Sequence, residues 1–390
     1  LEEYRRRYAR LAALMEHESF DVLVLTQEES IRYLSGYNSV VWAVGRWLPT
    51  VFLAHRDPRQ ALLIGSVFDE GCARGTSWVT ELQTYRSMDE IPEMIFDRLA
   101  AAGIPTEKAG FELGPGSFQA LPQRLVQQIF GRMPEPPRDG AELLSTVRML
   151  KSEAETDRLR RSVNAAVTGY RAGLEAARPG MTEKEIVSII AAQMYRSGAT
   201  AGTRPLFVNS VSGRARYSLV DTPASDRPIE AGDIVFIDGG GAVDGYVSDI
   251  LRLIGVGPLR PEDRRYAEVA AAATAAMVEA VRPGVRASEL YGRGADAVRS
   301  AIPGEEIGAI AGHGIGLELW ERPFLREHVD PDEDITITAG MVLCIEPILA
   351  PAHPEGGLAG IFVFEQQVAV TDDGAEVLSS ALPAQLWEVK

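Results

Sequence analysis

Ile234-Val235-Phe236-Ile237-Asp238-Gly239-Gly240-Gly241-Ala242-Val243-Asp244-Gly245-Tyr246-Val247-Ser248-Asp249 is the stretch around which the rest of the chain is organised. An apolar run ends on Asp238, a glycine-rich turn follows, and a second acid returns eleven residues later on another strand-like run. A hairpin of this kind sets Asp238 and Asp249 opposite one another. Further on, Met341-Val342-Leu343-Cys344-Ile345-Glu346 again ends a buried strand on an acid. A connection through Pro347, Pro351, Pro354, Gly356 and Gly357 then leads to Ile361-Phe362-Val363-Phe364-Glu365. Four carboxylates held within several ångströms would repel by several kcal/mol per pair at an effective dielectric of about 20, so they must protonate or bind a cation.

Gly312-His313-Gly314-Ile315-Gly316 supplies a nitrogen donor, and its glycines let the backbone approach such a centre closely. A histidine met alone is more often structural. Beside four acids it completes an oxygen-rich set suited to Mn²⁺, Co²⁺ or Fe²⁺, with Zn²⁺ also admitted and Mn²⁺ favoured, and too anionic for a thiolate-preferring metal. Two divalent ions match the charge better than one.

A weak internal repeat frames these segments. Arg178-Pro179-Gly180 followed by Glu185-Ile186 recurs 104 residues later as Arg282-Pro283-Gly284 followed by Glu289-Leu290. Ala231-Gly232-Asp233 leading to Asp238 likewise resembles Ala339-Gly340-Met341 leading to Glu346. Chance recurrence of a helix-turn phrase is the alternative for the first correspondence taken alone. If the halves are duplicated, each contributes a strand ending in an acid to a shared sheet, and Asp238 and Glu346 meet across a pseudo-twofold axis. Two carboxylates meeting in a core require a cation.

With 390 residues, 46% of them hydrophobic, the chain has room for two cores. Its net charge of -16, without a compact Lys/Arg patch, argues against nucleic acid and anionic membranes as partners. Of its two cysteines, Cys72 and Cys344, the second sits in an apolar run and reads as a buried thiol in a reducing compartment. No stretch approaches eighteen uninterrupted apolar residues and no apolar signal segment stands at the start, so a cytoplasmic location is expected.

Residues 1–148 alternate helix-like segments such as Tyr4 to Glu16 with short apolar runs at Asp21 to Leu25, Leu62 to Ile64 and Ala109 to Leu113, an α/β pattern. After the proline-rich stretch from Pro134, a charged segment from Lys151 opens a long helical pattern to about Ala177, so residues 149–390 form a second domain.

These residues resemble the creatinase, prolidase and methionine aminopeptidase family, whose catalytic domain is called the pita-bread fold. The resemblance covers residues 150–375 through Ile237-Asp238, Gly245-Tyr246-Val247-Ser248-Asp249-Ile250-Leu251-Arg252, Gly312-His313-Gly314-Ile315-Gly316-Leu317, Ile345-Glu346-Pro347, and Phe364-Glu365 followed by Val370-Thr371-Asp372-Asp373-Gly374. The first half is similar to the same family through Ile31-Arg32-Tyr33-Leu34-Ser35-Gly36-Tyr37 and Val147-Arg148-Met149-Leu150-Lys151-Ser152. The resemblance implies an N-terminal creatinase-like α/β domain and a C-terminal pita-bread domain of duplicated halves. It further implies that Asp238 chelates one metal, His313 and Glu346 hold the other, and Asp249 and Glu365 bridge them, with a bridging hydroxide as nucleophile. Glu346 would shuttle the proton to the leaving nitrogen. Xaa-Pro dipeptidase activity, as a homodimer, is the leading expectation.

The sequence departs from that pattern on the substrate side. Where peptidases of the family carry two further histidines, this chain has Asp221 in Val220-Asp221-Thr222-Pro223 and Trp320 in Leu319-Trp320-Glu321-Arg322-Pro323. A displaced alignment is one explanation, with His353 as a stand-in. The other is a pocket for a small cationic substrate, since a carboxylate pairs with the charge and an indole face adds about 0.5 to 2 kcal/mol of cation–π attraction. Family relatives include hydrolases of creatine and ectoine and a lyase of a sulfonium compound. Val41-Trp42-Ala43-Val44-Gly45-Arg46-Trp47 reads either as ordinary core or, by the resemblance, as a segment that caps a partner's substrate, with Arg46 on a substrate carboxylate and Trp47 beside it. A non-catalytic binding protein on this fold is the remaining class, opposed by the retention of all five ligand positions.

Overall fold

The computed structural model describes residues 2–44, 47–117, 119–200, 207–213, 216, 220, 222–327, 329–330, 333–352 and 358–390. These form two compact units, Leu1–Arg148 and Met149–Lys390. No helix among the described residues is long and apolar enough to cross a membrane.

In the N-terminal unit a mixed sheet runs in the spatial order Glu81–Tyr85, Leu62–Ser66, Val51–His55, Val22–Leu25, Ala109–Phe111, Arg138–Asp139. Val22–Leu25 lies antiparallel to Val51–His55 and parallel to Ala109–Phe111. Its four residues are all buried, as a strand covered on both faces requires. Val22, Val24, Leu53 and Ile64 pack with Ile91, Ile95 and Leu99 of helix Ile91–Ala101 and with Leu125 and Ile129 of helix Gln123–Gly131. The ordinary-core reading of residues 41–47 fails at Trp47, which is 79% exposed.

The second unit is built twice from one plan. Helix Glu153–Ala176 starts at a reciprocal cap of Ser152 and Glu155, and helix Glu183–Arg196 at one of Thr182 and Glu185. In the other half, helix Pro261–Ala280 begins on its proline and packs against Ala287–Ala301, where a Cβ on Gly294 would lie 2.6 Å from Met277 Sδ. Between the helices of each pair, Arg-Pro-Gly turns back with Gly180 at φ 89° and Gly284 at φ 92°, a left-handed conformation that side chains resist. The N–H of Gly180 donates to Ile229 O and that of Gly284 to Ile337 O, both at 2.9 Å. The turns before the two acid-bearing strands match as well, with Gly232 and Gly340 at φ 91° and 90° and their N–H groups donating to Val256 O and Val370 O. Chance recurrence does not reproduce matched dihedrals and matched hydrogen bonds; the halves are duplicated.

The shared sheet expected from the sequence is instead two sheets. One runs Trp387–Val389, Ile250–Val256, Ile234–Gly240, Phe207–Ser212, and the other Glu321–Arg326, Ile310–Gly314, Val342–Ile345, Gln366–Thr371, Gly374–Val377. They are stitched where Glu365 N–H donates to Leu251 O at 3.3 Å. Right-handed twist accumulating over so many strands favours such a split over one continuous sheet.

Candidate metal centre

Asp238 lies within strand Ile234–Gly240, paired antiparallel with Ile250–Val256 in the register Leu251↔Asp238. Asp249 immediately precedes that partner strand, so the return after the glycine-rich turn carries it back beside Asp238. A short ribbon of Ala242–Val243 and Tyr246–Val247 fills the connection. In the other half Ile345 pairs with Gln366, leaving Glu346 and Glu365 just beyond the paired ends of the two strands. Carboxylate oxygens of Asp238, Asp249 and Glu365 lie within 4.8 Å of one another.

His313 sits between two strands that approach it from both sides. A Cβ on Gly312 would lie 2.3 Å from Cys344 O, and one on Gly314 2.3 Å from Arg322 O, so only glycine fits on either side of the histidine. Its Nδ1 is 2.9 Å from Gly314 O, a contact that requires the proton on Nδ1 and turns the Nε2 lone pair toward the acids. That Nε2 is 3.4 Å from Glu346 Oε1 and 4.0 Å from Asp249 Oδ2.

The centre is buried and lacks donors. Asp249 Oδ1, His313 Nε2 and both carboxylate oxygens of Glu365 are excluded from solvent and make no hydrogen bond. Burial, then the charge of Asp238, pushes the Asp249 carboxyl well above the usual range. Burial, then Asp249, Glu346 and Asp238, does the same to Glu365. For His313, burial pulls the imidazole down, but Glu346 and Asp249 outweigh it and the net shift is upward. Buried polar atoms are almost always paired, and carboxylates this close cannot all ionise unaided, so the donor set fits a divalent cation.

The surrounding residues hold these donors in place. Arg252, 1% exposed, donates from Nη1 to Leu251 O and to Glu365 O and from Nη2 to Gln366 Oε1, fixing the backbone at Glu365. Thr274 Oγ1 donates to Phe364 O, and Asp249 N–H donates to Gln367 Oε1. Tyr170 OH donates to Gly239 O and Ile250 O, tying together the two aspartate-bearing strands. Sequence reasoning did not single these out, although a buried Arg and Tyr next to an acid cluster are the available signal. It also missed Cys344, whose sulfur lies within 4.8 Å of donor atoms of His313 and Glu365.

On the substrate side, Trp320 is 62% exposed with its ring 5.8 Å from that of His313. The turn bearing it is closed by the buried pair of Lys151 Nζ and Glu321 Oε2 at 2.9 Å, while Glu321 Oε1 accepts from Glu318 N–H. Arg46, Asp221 and His353 lie outside the described residues. Trp47 belongs to the N-terminal unit.

Residues 157–372 match the model of metallopeptidase family M24, and residues 7–150 match the creatinase/prolidase N-terminal domain. The chain belongs to family M24. It is therefore a metallohydrolase with the mixed α/β architecture of that family. It is 26% identical to the Xaa-Pro dipeptidase of Pyrococcus horikoshii over 95% of each chain. It is also 30% identical to the Xaa-Pro dipeptidase of Pyrococcus furiosus over 61% of this chain and 65% of that protein. Among solved structures, an Xaa-Pro dipeptidase from Bacillus anthracis shares its fold at a TM-score of 0.83 with 24% identity, covering 99% of this chain and 100% of that one. The prolidase from Pyrococcus furiosus superposes at 0.78 with 26% identity, covering 94% and 98%.

Proposed function

We propose that this M24 chain hydrolyses the C–N bond of Xaa-Pro dipeptides with two divalent ions held by Asp238, Asp249, His313, Glu346 and Glu365. The observation that carries this reading is the set of solvent-excluded donor atoms without hydrogen bonds, all within reach of one another. The names of its relatives support the substrate class. When bound, such ions would lower the pKa of a water toward neutrality and polarise the scissile carbonyl. His313, with Nδ1 committed to Gly314 O, would present Nε2 alone. Glu346 is 19% exposed and sits at the solvent-facing side of the cluster, which suits it to carry a proton to the leaving nitrogen. Arg252 and Thr274 would keep Glu365 from withdrawing.

A second reading is favoured by Trp320. An exposed indole beside His313, in place of the family's histidine, offers a π face to a small cationic substrate. A cytoplasmic homodimer completes the proposal, supported by exposed Val40, Trp47 and Phe68 on the N-terminal unit; sedimentation equilibrium tests it.

The deciding experiment is elemental analysis of protein purified without chelator, with hydrolysis of Ala-Pro and Leu-Pro compared with cationic amides before and after Trp320→His. About two metals per chain with proline-dipeptide turnover is the expected result. Metal without that turnover, together with a cationic amide whose KM rises roughly 2- to 30-fold in Trp320→His, would favour the second reading. No metal would remove both.

A further inference from the structure

Cys344 sits in strand Val342–Ile345, two residues before Glu346, and residues two apart along a strand face the same side. Register places it directly opposite His313 on one neighbouring strand and opposite Gln367 on the other. Cys344 thus occupies the middle of a row whose first member is the imidazole, one step below Glu346 and Glu365. It is fully buried, and its Sγ, a His313 ring nitrogen and a Glu365 oxygen lie within 4.8 Å of one another.

An independent observation marks this as a place for a ligand. His313 Nε2 and both Glu365 oxygens are excluded from solvent without a hydrogen bond, and so is Gln367 Nε2 at the far end of the row. The backbone that carries the sulfur is held on both sides: its strand is paired with two neighbours, and Cys344 O lies 2.3 Å from where a Cβ on Gly312 would be.

We propose that Cys344 is a sulfur donor to the ion held by His313 and Glu365, so that this centre combines nitrogen, oxygen and sulfur ligands and prefers Zn²⁺ or Co²⁺ to Mn²⁺. The inference rests on the metal-centre reading above and reverses the Mn²⁺ preference that an all-oxygen-and-nitrogen set implies. Bonds of about 2.0 Å to nitrogen and about 2.3 Å to sulfur keep two donors of one ion within about 4.3 Å, so the triad closes around a cation with shifts of about half an ångström. The ligand is the Cys344 thiolate, whose proton is released to solvent as the ion binds, and a thiolate selects borderline and soft ions, whereas Mn²⁺ favours oxygen. Cys72 lies in the other unit, where its Sγ is 3.0 Å from Asn38 O, and serves as an internal control.

The test is spectroscopic. The full chain, stripped with chelator and reloaded with Co²⁺, is expected to show a near-ultraviolet sulfur-to-cobalt charge-transfer band that survives Cys72→Ser and disappears in Cys344→Thr. The ratio of Zn²⁺ to Mn²⁺ affinity, read by equilibrium dialysis, should fall in Cys344→Thr by at least the roughly tenfold that even an outer partner of a metal ligand is worth. Should that variant misfold, X-ray absorption of the Zn²⁺-loaded parent answers the question alone, through a sulfur neighbour at roughly 2.3 Å. Bound metal with no sulfur neighbour and no band overturns the role of Cys344 while leaving the metal centre standing. Failure to bind any metal overturns both.

Discussion

Glu183 and Glu365 are equally buried, at 0% and 1% exposure, yet one has strong donors on every side and the other has none nearer than the weak thiol donor of Cys344. Glu183 accepts from the N–H and Oγ of Ser212, from the N–H and Oγ of Ser225, and from the Arg216 guanidinium. Burial alone would raise its pKa, but Arg216 and the serines outweigh it and the carboxyl is held below its ordinary value. Around Glu365 the nearest charges are other acids, and its carboxyl is driven far up. A buried acid provided with donors serves the fold; one left among acids is there for a cation. Glu112 in the N-terminal unit falls between them, since its carboxylate accepts from the N–H groups of Thr26 and Gln27 but burial still lifts it to about 7.

Glu365→Gln gives the largest expected effect. Removing one charge from the cluster relieves repulsion in the metal-free protein, so that form should melt no lower than the parent. Metal stoichiometry should drop, and hydrolysis should fall by at least on the order of 10³-fold. A variant that melts well below the parent while keeping its metal would place Glu365 in the same class as Glu183. Glu183→Ala is expected to do the opposite. It leaves Arg216 and two serine N–H groups without their acceptor and should cost about 3 kcal/mol in urea denaturation, with metal stoichiometry unchanged. Loss of metal in that variant, without loss of stability, would break the distinction.

Much of this contrast is legible in the sequence, and the part that is not has identifiable causes. Asp238 and Glu346 stand at the ends of apolar runs, and the turns after them are glycine- or proline-rich, so the pairing of acids across the centre follows from local pattern. The duplication is legible because Gly180, Gly284, Gly232 and Gly340 each occupy a left-handed conformation that leaves little choice of residue. Cys344 is harder to read. Strand Val342–Ile345 is buried on both faces, so apolar neighbours hide the alternation that would have set the cysteine on the same side as Glu346. The two-sheet division is also beyond local pattern, because twist accumulates over strands far apart in sequence. Glu183 reads as the first residue of a helix, and nothing local announces that Ser212, Arg216 and Ser225 converge on it from 29 to 42 residues away.

Glu112 offers the gentlest test of the same idea, because it is neither fully provided with donors nor left without them. Its carboxylate lies at the start of helix Glu28–Ser35, where backbone N–H groups and the helix dipole favour negative charge, and Arg148 adds a further pull downward. Burial is nonetheless the larger influence, and the folded protein holds the proton to about pH 7 where an ordinary glutamate releases it at 4.5. A folded-state value above the unfolded one means the folded chain binds the proton more tightly. The contribution to stability is therefore full below pH 4.5, is lost as pH rises to about 7, and is level above that. At about 1.4 kcal/mol per pH unit the loss is about 3 kcal/mol at most. Urea denaturation of the full chain across that window, with hydrogen exchange at Val22–Leu25 and Ala109–Phe111 reporting the N-terminal unit, should show the slope. Glu112→Gln keeps an acceptor for Thr26 and Gln27 and removes the charge, so it should flatten the profile. A slope that persists in Glu112→Gln would mean that other groups set the pH response of this unit, and that the Ser30 hydroxyl and two backbone donors are enough to make a buried carboxylate behave like Glu183.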